Sequence, residues 1–111
     1  DSLRVNRRQG HHWGPDNKDK TAYRLQCRQA VREKAASQPT MQRCLMTLTV
    51  YLGKGQRCDP PDAGAWAKVP IDVMVRERVI KDDNSSCISA FTVLVERSWE
   101  HPRLEIEVER L

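Results

Sequence analysis

Aromatic side chains are scarce in this chain, with one Phe, two Tyr and three Trp in 111 residues. Stacking nucleic-acid binders interleave several aromatics with their cations, so this scarcity places that class second. Long apolar runs are missing too. No stretch approaches the about 20 residues of a membrane-spanning helix, and none has the apolar core of a signal peptide, so no membrane insertion is expected. Five Gly and six Pro are too few for collagen-like or linker composition, and no long internal repeat is present.

Catalytic material is equally thin. The only histidines are His11, His12 and His101, and a nucleophile needs a partnered base within hydrogen-bond reach. Cys58 with His101 is the one thiol–imidazole pairing worth naming. Gly53-Lys54-Gly55 lacks the further glycines and the Lys-Ser/Thr ending of a phosphate-binding loop and reads as a hairpin turn. His11-His12 with Asp16 or Asp19 lacks the paired spacing of a structural zinc site. The expectation is therefore a protein that is not an enzyme, with no cofactor and no functional metal.

What the chain does contain is cysteine. Cys27, Cys44, Cys58 and Cys87 are even in number, and no two have the two-residue gap of zinc ribbons or thiol oxidoreductases. Crosslinks of about 2–4 kcal/mol each suit a small domain with a lean core. Disulfides are expected, with Cys27–Cys44 and Cys58–Cys87 as the pairing that best ties neighbouring elements. Asn84-Ser85-Ser86 fits the N-glycosylation acceptor pattern in a polar run. A start at Asp1 also suits a mature exported chain. These features together point to a secreted or extracellular protein.

Along the chain, residues 1–18 are basic, broken by Gly10, Gly14 and Pro15, and expected to form a mobile arm before a single domain at 19–111. Asp19 suits a helix N-cap, and Tyr23, Cys27, Ala30, Val31 and Ala35 line one face of a helix over Thr21 to Ala36. From Arg43 the period becomes two. Cys44, Met46, Leu48, Val50 and Leu52 share a strand face. The segment from Val69 to Ile80 reads as a second strand, Cys87 to Trp99 as a third and Leu104 to Leu111 as a fourth. Leu104, Ile106 and Val108 there alternate with Glu105, Glu107 and Glu109. The third strand is apolar on both sides and expected to be central. A hairpin between the last two strands would set Val95 against Val108.

The expected fold class is therefore α+β, one N-terminal helix packed on a four-stranded antiparallel, disulfide-stabilised sheet. An all-β sandwich with a peripheral helix is the alternative. In outline, with Trp99 and Pro102 near the last hairpin, residues 19 to 111 resemble the cystatin arrangement, which implies a helix cradled by an antiparallel sheet. The first turn, Leu52-Gly53-Lys54-Gly55-Gln56, departs from the Gln-x-Val-x-Gly motif of that family, so protease inhibition is not implied.

Charge adds one pattern. Lys20, Arg24, Arg28 and Arg32 recur every four residues and form a ridge along the helix. Like charges at that spacing disfavour an isolated helix by a few tenths of a kcal/mol per pair, so an anionic partner is indicated. Glu105, Glu107 and Glu109, an acidic protein or glycosaminoglycan, and nucleic acid are the three partners weighed. Net charge is +4 and the isoelectric point about 9.1, which is mild. Trp66, Trp99 and Arg103 sit in loops with the composition of interface anchors. The function expected is a secreted docking module, a ligand, inhibitor or receptor-ectodomain domain with an extracellular protein partner. The alternative is an intracellular nucleic-acid-binding or assembly protein with reduced cysteines.

Overall fold

A computed structural model describes residues 2–8, 17–35 and 38–111, with side chains for 24–33 and 38–111. The chain runs β1 (Ser2–Arg8), α1 (Asn17–Ala35), β2 (Cys44–Leu52), α2 (Pro60–Ala63), a 3₁₀ turn (Gly64–Ala67), α3 (Lys68–Arg76), β3 (Ile88–Arg97) and β4 (Arg103–Arg110). Strands β2, β3 and β4 form a three-stranded mixed sheet, and β1 adds to the outer side of β4, giving the order β1-β4-β2-β3.

β2 is central because its alternation is strict. Cys44, Met46, Leu48, Val50 and Leu52 are all buried, and the residues between them are half-buried. It pairs in parallel with β3, Leu48 opposite Val93, and antiparallel with β4, Leu48 opposite Ile106. Leu104, Ile106 and Val108 complete the buried face. Cys27 and Val31 of α1 and Val73 and Met74 of α3 close over it, so the helices cover one side of the sheet.

This corrects the expected architecture in three ways. The sheet is mixed, not a four-stranded antiparallel one, and it is not a sandwich; the cystatin outline fails with it. The segment expected as a second strand contains α3. Ala63, Ala67, Pro70 and Met74 are buried at helical spacing, and that stripe outweighs the β preference of Val69, Ile71, Val73 and Val75. Pro70 sits in the first turn of α3, where its missing N–H has no partner to lose. The helix closes with Arg78 at φ 60°. Val79 N–H donates to the Met74 carbonyl at 2.8 Å and Arg78 N–H to that of Val75 at 3.1 Å, the paired bonds of a Schellman stop. Third, β3 and β4 do not pair. β2 lies between them, so Val95 faces Val50 and Val108 faces Met46 across separate ladders, and β3 is an edge strand rather than a central one.

Nor is the fold crosslinked. None of the four cysteines is disulfide-bonded. Cys44 N–H donates to the Cys87 carbonyl at 2.8 Å, and the expected pairs, Cys27–Cys44 and Cys58–Cys87, do not form. Burial, and secondarily the neighbouring Cys87, pushes the Cys44 thiol above its ordinary pKa. Asn84 lies in an exposed turn where its Oδ1 accepts from Ser86 N–H at 3.0 Å and its Nδ2 donates to Asp82 at 3.3 Å. That amide is engaged in the turn that returns the chain to β3, and nothing supports glycosylation or secretion.

Candidate site at the carboxyl ends of the parallel strands

Parallel pairing of β2 and β3 creates an end that an antiparallel sheet would not have. Both strands finish together, Leu52 opposite Arg97, and the chain leaves β2 on one side for α3 while β4 lies on the other. The two carboxyl ends therefore lie side by side. Two loops border them, 53–59 and 98–102.

Arg97 builds the first. Its Nη1 donates to the carbonyls of Gly53 at 3.1 Å and Gln56 at 3.0 Å. Gln56 Oε1 accepts from Gly53 N–H at 2.6 Å, and Gly55 turns the chain at φ 78°. A side chain at Gly53 would meet Pro102 Cγ at 2.8 Å, so the two loops touch at this glycine. Arg103 builds the second. Its guanidinium lies 3.8 Å from the centre of the Tyr51 ring and donates to Glu105 at 3.0 Å and to the His101 carbonyl at 2.9 Å. Both arginines are structural braces as well as charges.

Against this braced frame the tip is open. Trp99 is 65% exposed, with Lys54 Nζ 6.0 Å from its ring centre, at the edge of cation–π range. At the same strand ends a shallow cleft of about 360 Å³ is lined by Leu52, Arg57, Cys58, Asp59, Val95, Glu96 and Arg97. Cys58 is held as a neutral thiol: partial burial, then the charges of Asp62 and Asp59, push its pKa up.

The other candidate residues fall elsewhere. Trp66 is folded back against the core from the 3₁₀ turn. Arg24, Arg28 and Arg32 do form a ridge on α1, and the anionic partner of Arg28 and Arg32 is Glu77, the C-cap of α3, not a glutamate of β4. Glu77 accepts from Arg28 Nε at 2.9 Å and Arg32 Nε at 3.1 Å, and the hydrogen bonds from Arg32 and then Arg28 hold its carboxyl below the usual range. Arg28 and Glu77, with Arg24, Leu25, Val73 and Arg76, line a groove between α1 and α3. The Lys20 side chain and the His11-His12 segment lie outside the described residues. Among the described residues no group of three or more His, Cys, Asp or Glu is placed to hold a metal ion, and no helix is long and apolar enough to cross a membrane.

Lys54, Arg57 and Arg97 were not singled out in the sequence, because only parallel pairing of β2 with β3 brings the 53–59 loop to the end of β3, where Arg97 holds it and Lys54 approaches Trp99. No family model matches this chain, and no curated protein matches it.

Proposed function

We propose that this protein is a nucleic-acid-binding domain, that its contact surface is the carboxyl end of β2 and β3, and that Trp99 stacks on an unpaired base there. The observation that carries this reading is the exposed Trp99 ring with Lys54 Nζ 6.0 Å from its centre, on the loops that follow the strand ends where Arg57 and Arg97 line a cleft with Asp59 and Glu96. A π-face with flanking cations is the combination that holds single strands: stacking supplies about 1–3 kcal/mol per base, and the cations track phosphates. The uncrosslinked cysteines remove the premise of a crosslinked extracellular module. The net charge of +4 favours a polyanion over an acidic-surface repeller.

The test is fluorescence anisotropy with a labelled single-stranded oligonucleotide and the matching duplex, at salt from about 50 to 200 mM. Wild type binds the single strand more tightly, and affinity falls steeply with salt. Trp99→Ala weakens binding by about tenfold or more without lowering the melting temperature. Arg57→Ala weakens it less and flattens the salt slope by about one. Absence of binding at the lowest salt, or affinity indifferent to salt and to Trp99, would sink the proposal.

A further inference from the structure

The two glycines in the turn after β2 are required for different reasons. Gly55 takes φ 78°, which side chains rarely adopt, and beyond its chain neighbours no atom lies within 4 Å of where its Cβ would stand. Gly53 has no such backbone demand, since its φ is not in the positive range. Yet it is buried, and a Cβ there would lie 2.8 Å from Pro102 Cγ and 3.2 Å from Gln56 Oε1. Neither neighbour gives way cheaply: one belongs to a closed ring, and the other accepts from Gly53 N–H at 2.6 Å. The 98–102 loop is also tied on both sides of its tip. Ser98 N–H donates to the Leu52 carbonyl at 3.0 Å, and the His101 carbonyl accepts from Arg103 Nη1 at 2.9 Å. Between these ties stand Trp99 and Glu100, and the Pro102 ring packs on Gly53, the residue before Lys54.

We infer that Gly53 is a positioning residue: the space left by its missing side chain seats Pro102, and this contact keeps the Trp99 ring centre 6.0 Å from Lys54 Nζ. The purpose assigned to the contact rests on the proposed nucleic-acid reading. With 65% of its surface in solvent, Trp99 has little packing of its own to orient it, so its orientation is inherited from the backbone on either side. A stacking ring gains affinity when that orientation is set before the base arrives, because the ordering entropy is not lost on binding. An alanine methyl at position 53 would push Pro102 outward and carry the loop with it, moving Trp99 without touching any ligand. Removing the ring at position 102 opens a gap instead. The two changes together refill the space: Cγ is the atom in conflict, and Pro102 Cβ lies 3.4 Å from the new methyl, close to an ordinary contact. Gly55→Asn, by contrast, places its Cβ in open space and suits the positive φ.

The experiment follows the Trp99 indole N–H resonance in the isotope-labelled full chain, assigned through its loss in Trp99→Phe, together with anisotropy on the single-stranded oligonucleotide. Gly53→Ala and Pro102→Ala should each shift that resonance and weaken binding by about fivefold or more, approaching the loss from Trp99→Ala. The salt slope should stay as in wild type, because the phosphate contacts remain. The double variant Gly53→Ala/Pro102→Ala should return both readouts most of the way to wild type, which general damage to the fold would not do. Gly55→Asn should leave the indole resonance in place. A wild-type indole position and affinity in Gly53→Ala overturn the inference, and so does a double variant that loses as much as the two single variants combined. Should Gly53→Ala not fold, Pro102→Ala, which adds no bulk, decides: an unmoved indole resonance overturns the inference. Failure of the wild type to bind the oligonucleotide defeats the proposed function, whereas the indole shifts and their reversal still decide whether this contact holds Trp99.

Discussion

The two ends of β2 are built on opposite plans. At its start the chain is sealed: Met41 bridges to Ile80, Met41 N–H donates to the Val79 carbonyl at 2.8 Å, and Lys81 N–H donates to that of Met41 at 3.0 Å. Leu111 N–H reaches the Arg43 carbonyl, and Arg110 donates to the Pro39 carbonyl at 2.7 Å. Met41, Cys44, Ile80 and Cys87 are buried there. At its finish, backbone pairing gives way to arginine braces, and Trp99, Lys54 and Arg57 point to solvent. The contrast teaches that one strand can be anchored by packing at one end and left available at the other. Stability concentrates where backbone groups and apolar side chains are both satisfied, and recognition falls where they are not.

The largest effect expected from testing that contrast is at the sealed end. Met41→Ala should cost about 2–5 kcal/mol, read as a drop in urea midpoint, because a fully buried side chain leaves a cavity behind; oligonucleotide affinity of the folded fraction should not change. An equal loss of affinity would mean the ends are not independent. The cysteines sharpen the comparison. Native alkylation followed by mass spectrometry should place one label on Cys58, slowly, since its thiol is kept protonated near neutral pH. Cys44 and Cys87, sealed at the other end, should react only after unfolding, and reductant should leave the intact mass unchanged. Rapid native labelling of Cys44 would contradict a sealed start.

The smallest effect lies in the helix layer, at the clamp of Glu77 on Arg28 and Arg32. Because the folded carboxyl is held below its unfolded pKa, the clamp's stabilisation is present above the ordinary carboxylate range and is lost as pH falls through the depressed folded value. With both guanidinium groups more than half exposed, Glu77→Gln should cost only up to about 1 kcal/mol at neutral pH. The gap between wild-type and variant melting temperatures should close in acid. A gap constant with pH would assign the effect to packing.

How much of this was readable without coordinates differs by element. The strict alternation from Cys44 to Leu52 and from Leu104 to Val108 named its own buried residues, and the spacing of Cys27 and Val31 marked the inner face of α1. Val69 to Ile80 misled because β-branched residues at even spacing imitate a strand, while the helical stripe that decides the matter begins earlier, at Ala63 and Ala67. The apolar sides of β3 suggested a central strand, and the same pattern belongs to an edge whose faces are partly open. Of the candidate site, Trp99 and Arg103 were visible as loop residues. Arg57, Arg97 and Lys54 were not, because their value lies in being near one another.

By itself, then, the amino-acid order determined local periodicity: which residues of β2, β4 and α1 face inward, and that the charge balance is mildly basic. Such patterns depend on neighbours two to four positions apart, which every conformation of the chain shares. Only the tertiary structure decided that β2 and β3 run parallel, that β2 separates β3 from β4, and that the cysteines stay uncrosslinked. Those outcomes depend on which distant apolar faces pack together, and no short-range pattern contains that information.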